Sequence, residues 1–250
     1  MYLTTQGLVI RVSPYSETDA MLTILTGEHG KISAKVRGLR RKNSPLSAAC
    51  QLLAYCEFTF FEYKGSFTVN EAHCMELFTG LRNDLQKLAL GTYFAQVAEV
   101  VSQEDLPNPE LLSLTLNCLF ALSKLNVFES KVKGVFELRS SCLAGYTPDL
   151  SCCRVCGNFT PDYIDISGGQ LECYRCRSQA PSGIRMPVSS GMLDAMRYIC
   201  SCESKKLFSF DLPEDSLEKL SSVTESYLAT QLERGFSSLD FYKSLIFLPG

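Results

Sequence analysis

The chain has 250 residues, 46% apolar and 20% charged side chains, and a formal net charge of −3. This is ordinary globular composition, long enough for a sizeable core and two domains, and its mild acidity argues against a general DNA coat. No stretch nears the roughly 18 uninterrupted apolar residues of a membrane helix, and Met1-Tyr2-Leu3-Thr4 lacks the basic-then-apolar start of a signal peptide.

Leu8, Ile10 and Val12 alternate with Val9 and Arg11, which predicts a strand ended by Ser13-Pro14. Met21 to Thr26 is a second strand, and Gly27-Glu28-His29-Gly30 a turn. Lys31 to Arg37 continues with Ile32, Ala34 and Val36 on one face and Ser33, Lys35 and Arg37 on the other. Gly38 to Pro45 reads as a basic polar loop. Leu52 to Tyr63 and Phe67 to Leu77 complete five strands, joined at Lys64-Gly65-Ser66. Five strands with mostly short connections fit a small closed barrel, which leaves no edge to aggregate.

After Gly80 the apolar period changes from two to 3.6. Leu81, Leu85, Leu88, Tyr93, Val97 and Val101 mark a helical stripe over residues 81–102, ended by Leu106-Pro107-Asn108-Pro109. Leu111 to Leu125 is a helix apolar all round, hence expected centrally, and Lys131 to Ala144 a third, closed by Gly145 as a left-handed cap. Ser189 to Cys202 is another. Asp211-Leu212-Pro213-Glu214 has capping-box spacing and opens a helix to about Arg234; Ser237-Ser238-Leu239-Asp240 repeats the signal before a short last helix. The expected class is α+β, multidomain: a barrel over residues 1–80, then a helical domain over 81–250 carrying a cysteine module at 150–180.

Within that module stand Cys153-Arg154-Val155-Cys156-Gly157 and Cys173-Tyr174-Arg175-Cys176. Two residues inside each pair let both sulfurs of a tight turn face one ion, and Gly157 suits the positive φ such a turn often needs. The spacing predicts a structural Zn2+ held by Cys153, Cys156, Cys173 and Cys176. A rubredoxin-like iron uses the same knuckles, two disulfides would need an oxidising compartment, and Cys152 is an alternative to Cys153. Arg154, Arg175 and Arg177 flank the sulfurs, where they could offset thiolate charge or reach a phosphate. The other eight of the twelve cysteines lie singly or doubly in apolar runs, which suits a reducing, cytoplasmic setting.

Catalytic patterns are sparse. The two histidines, His29 and His73, fall in a turn and a strand, and neither a Walker-type phosphate loop nor a Gly-x-Ser-x-Gly elbow is present. No catalytic residue is expected, and the chain reads as a non-enzyme. The charge distribution is more telling. Residues 1–80 hold eight Lys/Arg against seven Asp/Glu, whereas residues 81–250 hold sixteen against twenty. From His29 to Cys56 no acidic residue occurs, yet Lys31, Lys35, Arg37, Arg40, Arg41 and Lys42 do. Such a segment attracts phosphates, and Tyr55, Phe61 and Tyr63 on the next strand either stack bases or fill the barrel. The bland alternative is a solvated loop.

The run Thr5-Gln6-Gly7-Leu8-Val9-Ile10-Arg11-Val12-Ser13-Pro14-Tyr15-Ser16-Glu17-Thr18-Asp19-Ala20 resembles the start of the bacterial RecO family of DNA repair proteins. So do Leu25-Thr26-Gly27-Glu28-His29-Gly30-Lys31 and Val36-Arg37-Gly38-Leu39-Arg40-Arg41. Leu143-Ala144-Gly145-Tyr146-Thr147-Pro148, then Cys-x-x-Cys-Gly, and Gly168-Gly169 before the second pair are similar to that family's zinc module. The resemblance implies an OB-fold barrel, a helical bundle and a mounted zinc module. It also implies binding of single- and double-stranded DNA, annealing of complementary strands, and partnership with RecR in loading RecA onto strands coated by the single-strand-binding protein SSB. The acidic C-terminal tail of SSB is an implied partner of the helical domain, and the implied location is the cytoplasm at the nucleoid. A protein-interaction module without direct DNA binding is the competing expectation.

Overall fold

Alternating side chains in the first eighty residues form five strands: β1 (Tyr2–Pro14), β2 (Ala20–Thr26), β3 (Lys31–Val36), β4 (Tyr55–Tyr63) and β5 (Ser66–Glu76). The computed structural model describes residues 1–176 and 183–246. The strands close into a barrel in the order β1-β2-β3-β5-β4, with β4 returning to β1. This is the connectivity of an OB-fold. Closure is possible because β1 is long: its first half pairs with β4 and its second half with β2. A register shift between Val9 and Arg11 bends it from one neighbour to the other. Only β3 and β5 run parallel, pairing Ala34 with Phe67 and Lys35 with Thr68.

The barrel interior is filled by Val9, Leu22, Ile24, Ile32, Val36, Phe58 and Phe60, among others. Fully burying a side chain such as Phe58 is worth about 1.5–3 kcal/mol. The long β3–β4 connection helps to fill the same interior with Ala49, Cys50 and Ala54. It is held beneath the β1 bend by Val9 N–H donating to Ala54 O at 2.9 Å and Leu53 N–H donating to Val9 O at 2.8 Å.

Helices follow as α1 (Thr79–Arg82), α2 (Leu85–Val101), α3 (Pro109–Lys124) and α4 (Glu129–Leu143). The single helix expected over residues 81–102 is broken, because the Asp84 carboxylate caps α2 by accepting from the N–H groups of Gln86 and Lys87 at 3.0 and 3.1 Å. The buried face is broader than the expected stripe: Leu81, Tyr93 and Val97 are buried as expected and Leu85 is exposed, while Ala89, Leu90, Phe94, Ala95 and Ala98 are buried as well. The reason is that α2 packs against both β1 and the last helix, α7 (Ser237–Ile246), so it is enclosed on more than one side. The turn before β3 also meets this region. A Cβ on Gly30 would strike the carbonyl oxygens of Gln103 and Leu106, and its φ of +63° is left-handed, so only glycine lets the chain pass there.

Packing therefore groups the elements differently from the strand-to-helix transition. One compact unit comprises Met1–Leu125 with the segment from Phe236 onward; the other is Asn126–Gly235. The second unit contains α4, a four-stranded sheet ordered β6-β8-β7-β9, and helices α5 (Ser190–Ser201) and α6 (Glu214–Gln231). The sheet strands are β6 (Asp149–Cys153), β7 (Tyr163–Asp165), β8 (Gln170–Glu172) and β9 (Arg185–Pro187). Asp211 does not cap α6: the helix starts at Glu214 with Pro213 as its N-cap, and the Asp211 carboxylate lies 3.8 Å from Lys131 Nζ.

A buried charge network joins α4 and α6. Lys133 Nζ lies 2.9 Å from Glu137 Oε1 and 2.8 Å from Glu225 Oε2, and Thr224 Oγ1 donates to Glu137 Oε2 at 2.8 Å. Glu137 is fully buried, which pushes its carboxyl pKa up against the lowering pull of Lys133. Burial depresses the Lys133 pKa, but the two carboxylates outweigh it and the net direction is up. Gly134 brings the α4 backbone close to Leu220 and Ser221 of α6. No described helix is long and apolar enough to cross a membrane.

Candidate nucleic-acid interface and metal centre

The six cations of residues 31–42 occupy two kinds of environment. Lys31 and Lys35 start from the outward face of β3, since Ile32, Ala34 and Val36 point inward. Lys31 Nζ donates to the Glu99 carbonyl at 2.9 Å, so it is tied to α2. Lys35 Nζ pairs with Asp19 Oδ2 at 2.9 Å and lies 4.5 Å from the Tyr15 ring centre. Arg40 is exposed and donates to the Ser16 carbonyl at 2.8 Å. Arg37, Arg41 and Lys42 are exposed, and among the described residues none of the three has an ion-pair partner.

Asp19, which no local sequence pattern marks out, organises this segment. Its Oδ1 accepts from Gly38 N–H at 2.9 Å while Oδ2 holds Lys35. The Gly38 hydrogen bond, then the Lys35 contact, hold its pKa down at about 2, so the carboxylate is charged at any ordinary pH. Arg40 N–H also donates to the Thr18 carbonyl at 3.0 Å. The β1–β2 turn thus carries the start of the basic loop, through contacts about twenty residues apart in sequence that no local pattern announces.

The barrel register then brings aromatic rings into one row with Lys35 and beside Arg37. Lys35 pairs with Thr68, Thr68 with Phe61, and Phe61 with Tyr2, a row crossing β3, β5, β4 and β1. Phe61 and Tyr2 are exposed at 42% and 63%, with ring centres 5.5 Å apart. Together with Arg37 and Asn70 they border a recess of about 340 Å³. Of Tyr55, Phe61 and Tyr63, the three rings open to either reading, none is sealed in the barrel core. Phe58 and Phe60 are core, whereas Phe61 and Tyr63 face outward. Tyr55 is half-buried and its hydroxyl donates to Gln6 Oε1 at 2.7 Å. Tyr2 was missed; only the pairing of β1 with β4 places it here.

In the second unit the two cysteine pairs converge. The sulfurs of Cys153, Cys156, Cys173 and Cys176 all lie within 4.8 Å of one another, and Cys156 and Cys173 are 3.7 Å apart. Tetrahedral zinc–sulfur bonds of about 2.3 Å would set sulfurs roughly 3.8 Å apart, so the donor set fits such an ion. Gly157 takes φ of +73° at the first knuckle, as its place behind the second sulfur requires. Cys173 N–H donates to Cys153 Sγ at 3.3 Å, and Asn158 Nδ2 to Cys173 Sγ at 3.3 Å. Burial raises the Cys153 pKa, but backbone N–H groups of Cys156, Val155 and Cys173 outweigh it and bring it to about 6. Cys176, hydrogen-bonded to Cys156, is pushed up to about 12. Cys152 is not part of the cluster.

Arg154 turns away from the role expected of it. Its guanidinium reaches Gln170 Oε1 at 2.9 Å, Asp165 Oδ2 at 3.5 Å, and the fully buried Glu172, which Arg185 also holds at 2.5 Å. It stabilises the sheet beneath the cluster. Arg175 borders a recess beside Cys156, Cys173 and Cys176. Arg177 lies outside the described residues.

Comparison with known proteins accounts for nearly the whole chain. The family model described as Recombination protein O N terminal matches residues 1–78, and Recombination protein O C terminal matches residues 82–240. DNA repair protein RecO of Acetivibrio thermocellus is 35% identical over 246 residues, covering 98% of this chain and 97% of that relative. The protein of the same name from Alkaliphilus metalliredigens is 29% identical over 248 residues, covering 98% and 100%. That of Moorella thermoacetica is 30% identical over 245 residues, covering 96% and 90%. The five-stranded barrel and the four-cysteine sheet fall in the N- and C-terminal matches respectively, in the same order along the chain. The chain therefore belongs to the RecO family of DNA repair proteins.

Proposed function

We propose that this protein is a non-enzymatic recombination mediator. It binds single- and double-stranded DNA, anneals complementary strands and, with RecR, promotes loading of RecA onto single strands coated by SSB. The observation that carries DNA binding is the meeting of exposed Arg37 with the exposed rings of Phe61 and Tyr2 around one recess, with exposed Arg41 and Lys42 following Arg37 in the basic loop. Cations hold the phosphate backbone and release its counterions; rings offer bases a stacking surface that is indifferent to sequence. Arg40 and Lys35 extend the same basic segment, and Lys31 supports it from the α2 side.

In this reading residues 1–80 are the DNA-binding domain and 81–250 the helical domain, which takes the acidic C-terminal tail of SSB and works at the nucleoid in the cytoplasm. Cys153, Cys156, Cys173 and Cys176 hold Zn2+ as a structural ion; with four sulfurs it has no open position for a substrate. The zinc would neutralise thiolates that otherwise raise one another's pKa, as at Cys176.

Fluorescence anisotropy of a short labelled single strand tests the reading. The wild type should bind with an affinity that falls steeply with salt, and the Arg37→Gln, Arg40→Gln variant should show a shallower slope. Equal binding and equal slope in the two proteins would overturn the assignment of this face. A protein that binds RecR normally but no oligonucleotide under any salt condition would instead be an interaction module.

A further inference from the structure

Outside the cluster, a second pair of thiols meets in the second unit. Cys142, near the end of α4, and Cys200, near the end of α5, have their sulfurs 3.7 Å apart, within reach of an S–H hydrogen bond. Both are partly accessible rather than sealed in the core. Two helix C-termini converge there, and their partial negative charge would ordinarily disfavour a thiolate. Arg139 answers it: its guanidinium donates to the carbonyls of Ile199 and Cys200 at 3.2 and 2.5 Å. The Cys142 sulfur also has the Thr147 hydroxyl and Arg139 beside it. Cys202 and the Tyr227 hydroxyl complete the titratable groups that act on the pair. Hydrogen bonding with Cys200, then Thr147 and the Arg139 charge, prevail over burial and bring the Cys142 pKa down to about 7, whereas Cys200 is driven up.

We propose that Cys142 and Cys200 form an oxidisable dithiol, with Cys142 as the attacking sulfur and Cys200 as the resolving one, and small peroxides as the oxidant. The Cys142 thiolate attacks one peroxide oxygen; the O–O bond breaks, a sulfenic acid forms at Cys142, and hydroxide leaves. The Cys200 sulfur then attacks the Cys142 sulfur, the S–O bond breaks, and the hydroxyl departs with the Cys200 proton as water. One peroxide is reduced to two waters and two thiols are oxidised to one disulfide. Closing the pair requires a shift of less than about 2 Å toward the disulfide bond length of roughly 2.05 Å. The resulting loop encloses the whole four-cysteine sheet, so the disulfide acts as a redox staple across the ends of the metal module.

The other thiols differ. Cys50 and Cys118 are buried, and burial pushes their pKa values up. Cys56 pairs across strands with exposed Cys74, but it too is buried and pushed up to about 12.

The test treats the zinc-loaded full chain with limiting hydrogen peroxide, blocks free thiols with N-ethylmaleimide, and maps the peptides while released zinc is measured. The expected result is a Cys142–Cys200 disulfide formed before any zinc is lost and reversed by dithiothreitol. In Cys200→Ser, dimedone should trap a sulfenic acid at Cys142. Oxidation that begins at the four-cysteine cluster or at Cys56–Cys74, or that leaves Cys142 reduced, would overturn the proposal.

Discussion

The cysteine cluster and the basic face of the barrel invert the usual relation between clarity of signal and place in function. Four sulfurs at Cys-x-x-Cys spacing converge within 4.8 Å, a donor set that could hold a metal ion. The basic face has no motif of comparable sharpness, and two of its six cations, Lys31 and Lys35, are held by Glu99 and Asp19. Its exposed remainder is what a nucleic acid would meet. A metal site must be specified by short-range spacing, because four ligands have to reach one point. A phosphate-binding surface needs only charge density over several strands, so its residues are scattered by the register.

That contrast is open to direct attack. The largest effect should come from the cluster. With the proposed zinc in place, Cys173→Ser should abolish its retention and unfold the sheet around it, because a structural zinc of this kind supplies on the order of 10 kcal/mol of folding energy. Zinc analysis with far-UV circular dichroism would show it, and DNA binding by the barrel should outlast the loss. If the variant keeps both zinc and secondary structure, the division of labour fails.

Next in size is the buried charge between α4 and α6. Lys133→Met leaves Glu137 without its cation at full burial and should cost about 3–5 kcal/mol in denaturant unfolding. Replacing both Lys133 and Glu137 with apolar residues should recover part of that. Third, Phe61→Ala should weaken single-strand binding by about 1–3 kcal/mol, without altering the salt slope, if the ring stacks a base. Neutralising Arg37 and Arg40 together should do the reverse, flattening the slope by roughly 0.7 per phosphate contact on a single strand.

The smallest effect concerns Asp19. Its depressed pKa means that its contribution is fully present above the ordinary carboxylate range and is lost as pH falls toward about 2. Its carboxyl resonance should titrate near 2. It should stay well below 3.8 in Lys35→Ala, because the Gly38 N–H is the larger cause. A normal titration would remove the clamp on the basic loop.

Several elements were legible before the fold and several were not, for identifiable reasons. The inward set Ile32, Ala34 and Val36 follows from strand alternation alone. Ser189 could be read as the start of α5, and its hydroxyl does accept from Met192 N–H at 3.3 Å. The α2 stripe caught Tyr93 and Val97 but not the rest of the buried surface, because a helix enclosed by β1 and α7 also buries small residues such as Ala95 and Ala98. Asp211 misled because Pro213 took the cap position and the acid met Lys131 instead. Lys133 and Glu137 look like an ordinary exposed i,i+4 pair, and only the arrival of Glu225 and Thr224 on α6 makes them a buried network.

What the sequence determined by itself is local: strand and helix periods, the glycine behind a metal knuckle, the thiol spacing, and a stretch of cations without carboxylates. Each depends on residues within a few turns or strand steps of one another. Tertiary structure decided which cations remain exposed, that Tyr2 joins Phe61, that Asp19 clamps the basic loop, and that Cys142 meets Cys200. It also decided that α1 to α3 and α7 share a unit with the barrel. These depend on pairing register and shared burial between segments far apart in the chain, where contact energy is set by the partner's position and not by the residue's own neighbours.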